Sequence, residues 1–267
     1  MSERYFDERA SSAPESYERY FVPSIGEPVA RDLLRVAALR PGEQVLDVGC
    51  GTGIVTRLAA EAVGPDGSVA GLDVEPGMLA VAASATEGAG IEWIEASGEA
   101  IPLPDESIDV VLCQMSLQFM PDRSKALEEM RRVLAHGGRL VLNVPGPTSA
   151  FFRPFSRALA EHVDPQAAGF VERVFSLHDE DELAALLEEA GFRDVSVDAE
   201  TKELSLPPPA DFLWQYAAST PMAGILAGAD EDARAALERE VVSAWQDFEV
   251  DEGMEIRQRI VVATARR

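Results

Sequence analysis

The chain has 267 residues, 46% of them hydrophobic, which suits one large α/β domain with a cap better than two independent domains. Its formal net charge of −24 argues against duplex nucleic acid and anionic membrane surfaces as partners, since both call for a basic face. No apolar run reaches the ~18 residues of a membrane span, Met1-Ser2-Glu3-Arg4-Tyr5 lacks the apolar core of a secretory signal, and two cysteines, Cys50 and Cys113, exclude a disulfide framework or a zinc cluster, so a cytoplasmic setting is expected.

Residues 1–23 are polar but carry Tyr5, Phe6, Tyr17, Tyr20 and Phe21. Tyr17, Tyr20 and Phe21 fall at i, i+3, i+4, one side of a helix. That stripe either packs on the body of the protein or forms a lid whose aromatics face a ligand. A helix follows over 29–38, and Arg40-Pro41-Gly42 ends it.

Val45, Leu46 and Val48 make an apolar strand around Asp47, and then Gly49, Gly51 and Gly53 alternate with Cys50 and Thr52. Glycine lets a backbone lie close against a ligand. Residues 54–62 read as a helix whose free amides begin beside that loop. Strand, glycine loop and helix make a nucleotide-type site. The dinucleotide fingerprint G-x-G-x-x-G would need glycine where Ile54 stands.

The nine residues Val45-Leu46-Asp47-Val48-Gly49-Cys50-Gly51-Thr52-Gly53 resemble motif I of the class I S-adenosylmethionine (SAM)-dependent methyltransferases, (V/L)LD(V/I)GCGTG. The resemblance implies a Rossmann-like, doubly wound sheet of seven strands, mostly parallel with an antiparallel last strand. It implies SAM as methyl donor, S-adenosylhomocysteine as product, and no metal. Asp47, Gly49, Cys50, Gly51 and Gly53 are then donor-binding residues.

Residues 69–73 are the second strand, ending in Asp73. A carboxylate there can accept both hydroxyls of a ribose or cap the next helix. The resemblance makes it the motif II acid, with Val74 and Met78 beside the donor and Met78 against adenine. Residues 91–95 alternate as strand three. The family then commonly reads G-D-A-x-x-L-P-F. Here Ser97 replaces the aspartate, so Ser97, Gly98 and Glu99 are the candidates, by a serine hydroxyl or the Gly98 amide.

Residues 107–114 are a near-continuous apolar run, as in a buried parallel strand. The resemblance gives the Gln114 carbonyl to the donor's amino group. Gln118 stands where many relatives have histidine. It cannot titrate near neutrality, so it orients a substrate or caps a helix. A helix over 123–134, a turn at Ala135-His136-Gly137-Gly138 and strand five over 139–144 complete a β-α-β-α alternation.

Residues 145–175 carry Phe151, Phe152, Phe155 and Phe170 after strand five, on the ligand edge of the sheet. Phe151 and Phe155, with Tyr17, Tyr20 and Gln118, are candidate walls of an acceptor pocket. His162 is a candidate general base, or a surface histidine without a role. Residues 176–179 cap a helix over 180–190, Val195-Ser196-Val197 begin strand six, and 256–263 make the last strand. Between them, 204–251 read as a helical insertion over the sheet end. The expected organisation is one domain: lid 1–28, donor core 29–144, and substrate caps 145–175 and 204–251.

Transfer from a sulfonium needs alignment and dryness more than a catalytic triad. The expected function is methyl transfer to an oxygen, nitrogen or carbon of a small apolar or aromatic metabolite, by a monomer or homodimer. The resemblance is to quinone-biosynthesis-like and natural-product methyltransferases. A non-catalytic SAM-binding regulator, or a methyltransferase of protein or RNA, would share the donor loop; the acidic charge opposes RNA.

Overall fold

A computed structural model describes residues 12–86 and 90–267; Tyr5 and Phe6 of the lid lie outside them. The described chain starts as one helical run: α1 (Ala13–Ser16), a π-helical segment (Tyr17–Gly26) containing Pro23, and α2 (Glu27–Ala37). Ser12 and Glu15 close a capping box at its start. There follow β1 (Gln44–Val48), α3 (Ile54–Val63), β2 (Ser68–Asp73), α4 (Pro76–Ser84), β3 (Glu92–Glu95), β4 (Ile108–Gln114), α5 (Arg123–Val133) and β5 (Leu134–Pro145). The second half holds α6 (Phe152–His162), α7 (Pro165–Val174), α8 (Glu180–Glu189), β6 (Arg193–Leu206), α9 (Pro209–Ala218), α10 (Met222–Gly228), α11 (Glu231–Trp245), β7 (Glu249–Val250) and β8 (Gly253–Arg266).

The sheet runs β3-β2-β1-β4-β5-β8-β6, with the short β7 paired to β8. β1 to β5 are parallel, and β8 is antiparallel to both β5 and β6. The chain order reverses between β1 and β4, so their carboxyl ends open the crevice where ligands of such sheets bind. Neighbouring strand residues face opposite layers. Val45, Val110 and Leu112 pack with Leu33 of α2 and Ala59 of α3; Leu46, Val111 and Cys113 pack with Leu127 of α5 and Leu187 of α8. A third cluster joins α6, α7, α9, α10 and α11 into a cap with a core of its own.

Three expectations change. The turn at 135–138 is a bulge inside β5: Leu134 pairs with Ile108 and Arg139 with Val110, so four residues stand opposite Asp109 alone. The last two long strands exceed their apolar cores, because β6 and β8 stay paired from Ser196 opposite Thr264 to Leu206 opposite Met254, with Glu203 and Arg257 opposite one another and ion-paired at 2.8 Å. Among the described residues the two-residue β7 brings the sheet to eight strands, against the seven expected. Among the described residues no helix is long and apolar enough to cross a membrane.

Candidate active site

The loop after β1 is fixed from below. The amides of Gly49 and Cys50 both donate to the Leu72 carbonyl at the end of β2, at 2.7 and 3.0 Å. Gly49, Gly51 and Gly53 have φ of 72°, 54° and 85°, the left-handed region. At Gly53 there is no room either: a β-carbon would stand 2.4 Å from the indole of Trp93, which crosses from β3 beneath the loop. Gly53 starts α3 without a side-chain cap, which leaves the first-turn amides free.

Asp47 is 1% exposed, and its Oδ2 accepts from the Thr56 hydroxyl at 2.6 Å. Its Oδ1 is buried without a partner among the described residues. Burial pushes this carboxyl up to about 7; the Asp73 charge adds to the shift and the Thr56 hydrogen bond opposes it. Asp73 binds the loop directly: Oδ2 accepts from the Gly51 amide at 2.8 Å and Oδ1 from the Glu75 amide at 3.0 Å. Each oxygen keeps a lone pair. Beyond Asp73, Val74 is 64% exposed and Met78 is half-buried on α4.

The segment after β3 does local work. Ser97 Oγ accepts from the Glu99 amide at 3.1 Å, and Glu99 Oε1 accepts from the Asp122 amide at 2.9 Å. Gly98 is wedged between Val48 and Met120, whose atoms would lie 3.1 and 3.2 Å from a β-carbon. At the end of β4, Gln114 Nε2 donates to the Gly26 carbonyl at 3.1 Å, and its Oε1 is buried without a partner among the described residues. Gln118 is 3% exposed; Nε2 donates to the Met115 carbonyl at 3.0 Å. It borders a groove of about 560 Å³ with Phe119, Met120 and Arg123.

The π-helical segment closes over this loop. The Tyr17 ring lies 3.8 Å from where a β-carbon on Gly51 would stand, and it stacks on Phe21 at 4.5 Å and 21°. Burial, then the nearby Asp73 carboxylate, raises the Tyr17 phenol above its ordinary range. Tyr20 turns instead toward the cap core, with Arg19 5.7 Å over its ring. Phe21, stacked on Tyr17, packs against the cap core as well, so the stripe stays together although the segment has a π-helical pitch. Arg57 ties the segment down: Nη2 donates to Glu18 Oε1 at 2.7 Å and Nη1 to the Thr52 carbonyl at 2.8 Å. Ser219 Oγ, after α9, donates to the Ser16 carbonyl at 3.0 Å.

Two expectations are corrected by packing. Phe151 and Phe155 are 1% and 0% exposed and fill the cap core instead of facing a pocket. Phe151 stacks on Trp245 at 4.3 Å and 7°, and its carbonyl accepts from the Trp245 indole at 2.8 Å. His162 does not stand at the donor loop as a base. Its Nε2 lies 2.8 Å from Glu240 Oε2, a carboxylate that Arg157 also holds. The other histidines are engaged elsewhere too: His178 Nδ1 lies 2.7 Å from the Phe175 carbonyl, and His136 is exposed near Glu106.

Sequence reasoning missed Glu18, Thr52, Arg57 and Trp93 around the loop. Thr52 lay inside the motif, and Glu18 follows Tyr17, so position alone could have nominated both. Trp93 and Arg57 reach the loop only through the tertiary fold.

A family model described as a methyltransferase domain matches residues 46–142. The chain is 32% identical over 182 residues to the demethylmenaquinone methyltransferase of Bacillus cytotoxicus, covering 62% of this chain and 77% of that protein. It is 35% identical over 144 residues to the ubiquinone/menaquinone biosynthesis C-methyltransferase UbiE of Xanthomonas campestris pv. campestris, covering 52% of each. It is 33% identical over 165 residues to the arsenite methyltransferase of Halobacterium salinarum, covering 60% of this chain and 40% of that protein. A solved phosphoethanolamine N-methyltransferase 2 of Haemonchus contortus, in complex with phosphomonomethylethanolamine and S-adenosylhomocysteine, shares the fold with a TM-score of 0.60 at 19% identity, covering 100% of this chain and 60% of that one.

Proposed function

This chain belongs to the class I SAM-dependent methyltransferases, and we propose that its methyl acceptor is a small aromatic metabolite, methylated at a ring carbon or an attached heteroatom beneath the N-terminal segment and α9. The residues around the loop fit the donor. The closed approach at Gly53 and the left-handed backbone make a cradle that side chains would fill. Gln114 Oε1, buried and unpartnered among the described residues, is a hydrogen-bond acceptor and suits a cationic molecule, as does the Asp47 carboxyl once ionised. Asp73 keeps lone pairs for a ribose diol, and Val74 and Met78 offer apolar surface to a base.

When bound, SAM supplies a methyl group on a sulfonium that leaves as a neutral thioether. This chain's residues have the work of alignment and of excluding water. Tyr17 and Phe21 stack over the loop, and Tyr216 of α9 stands 6.3 Å from Phe21. That aromatic roof is the observation that carries the acceptor reading. All three histidines of the chain are engaged away from the loop, which favours an acceptor that needs no imidazole base, such as an electron-rich ring carbon. The relatives named for quinone methylation support the same class.

Arsenite fits less well. A thiophilic acceptor asks for several accessible thiolates. This chain has two cysteines, both buried; burial pushes the Cys113 thiol up to about 12 and Cys50 higher still. An RNA acceptor is disfavoured by the net charge of −24. The test is methyl transfer from labelled SAM to a panel of hydroxyarenes, beside bulk tRNA and a protein extract. Label in tRNA or protein but in no arene would overturn the proposal.

A further inference from the structure

Arg57 of α3 uses one guanidinium to join the glycine loop to the N-terminal segment, through the Thr52 carbonyl and Glu18 Oε1. That occupies one oxygen of the Glu18 carboxylate. The other, Oε2, is buried with no hydrogen-bond partner among the described residues, and so is Thr52 Oγ1. An unpaired buried carboxylate oxygen is costly unless a ligand completes it. Asp73 meets the same loop, its Oδ2 accepting from the Gly51 amide, and Tyr17, the residue before Glu18, lies against Gly51. Carboxylate oxygens can only accept. Their complement is a group with several N–H donors and positive charge.

The donor carries such a group at its amino-acid end. We propose that Glu18 Oε2 receives the α-ammonium of the donor's methionyl head, with Arg57 holding the carboxylate in position. The inference rests on SAM being the donor. It makes the N-terminal segment, which lies before the matched methyltransferase domain at 46–142, a part of the donor site. Glu18 is then a binding residue, and Arg57 is a positioning residue that acts through it.

The experiment uses the full chain and two nucleoside thioethers. S-adenosylhomocysteine has the amino-acid head, and 5′-methylthioadenosine lacks it. Calorimetry on wild type and on Glu18→Gln, which keeps an acceptor for Arg57 but removes the charge, separates the head from the nucleoside. S-adenosylhomocysteine binding should weaken about tenfold or more, as for a lost charge-assisted hydrogen bond, while 5′-methylthioadenosine binding stays within about twofold. Equal weakening of both ligands, or of neither, overturns the assignment. If Glu18→Gln does not fold, by circular dichroism, Glu18→Asp serves: it keeps the charge but withdraws it, and its loss must again fall on S-adenosylhomocysteine alone. Wild type that binds neither thioether overturns the donor reading itself, a result distinct from both.

Discussion

Tyr17 lies close enough over the donor loop that a β-carbon on Gly51 would meet its ring at 3.8 Å, while the Gly51 amide holds Asp73 at 2.8 Å. One glycine thus has an aromatic roof and a carboxylate wall. Tyr17→Ala removes the roof and exposes the loop to water. SAM affinity should fall about three- to tenfold, in keeping with the loss of one aromatic contact, and Tyr17→Phe should keep most of it. Calorimetry checks this, and unchanged affinity in Tyr17→Ala would remove the segment from the donor site.

Asp73 orders the loop through the Gly51 amide, and in the proposed site its spare lone pairs are left for the ribose. Asp73→Ala should weaken SAM by about tenfold or more, the scale of losing hydrogen bonds to a charged group. Asp73→Asn should do less damage to the loop, because its carbonyl oxygen can still accept from Gly51. Wild-type affinity in Asp73→Ala would sink the ribose assignment.

Asp47 makes a prediction with a definite sign. Burial raises its carboxyl to about 7, against about 3.9 in an unfolded chain. Between those values the folded protein holds a proton that the unfolded chain has released. Stability of the ligand-free protein therefore contains a term that declines as pH rises across that window. Asp47→Asn removes the term, so its Tm should depend less on pH between about 4 and 7 and should match or exceed wild type at the upper end. Thermal melts across pH decide it; a variant as steep as wild type would mean that Asp47 ionises freely when buried.

The cap separates structural from chemical roles. Phe151→Ala opens a hole beside Trp245 in a closed core, and the expected loss is about 3–5 kcal/mol of stability, read from denaturant midpoints. His162→Ala removes a partly buried polar contact with Glu240, expected to matter by about 1 kcal/mol, and kcat should stay within about twofold of wild type. A kcat drop of a hundredfold with the fold intact would restore His162 as a base.

What could be read from the chain before its fold follows from range. The donor loop, Asp73 and the succession of strands and helices are written in consecutive residues, because a strand, a glycine turn and a helix are each decided locally. The direction of Phe151 was not, because its partner Trp245 lies 94 residues on. An aromatic-rich segment reads alike whether it lines a pocket or fills a core. Gln114 was nominated for its backbone, yet its side chain does a second task by holding Gly26. The N-terminal stripe was visible, but its pitch was not. Pro23 removes a backbone donor within the segment, and that alone does not announce a ten-residue π-helix.

That pitch makes the segment intolerant of indels. Gly26 is anchored by Gln114 and Ser16 by Ser219, so the span between them has a fixed residue count. A single-residue deletion that tightened it to an α-helical pitch would swing everything upstream by roughly 100° per residue. Tyr17 would leave Gly51 and Glu18 would leave Arg57 together. Substitutions at Val22 or Ser24 should be tolerated far better than removal of either one. Homologous chains that keep this closure should therefore differ here by exchange of residues and seldom by length.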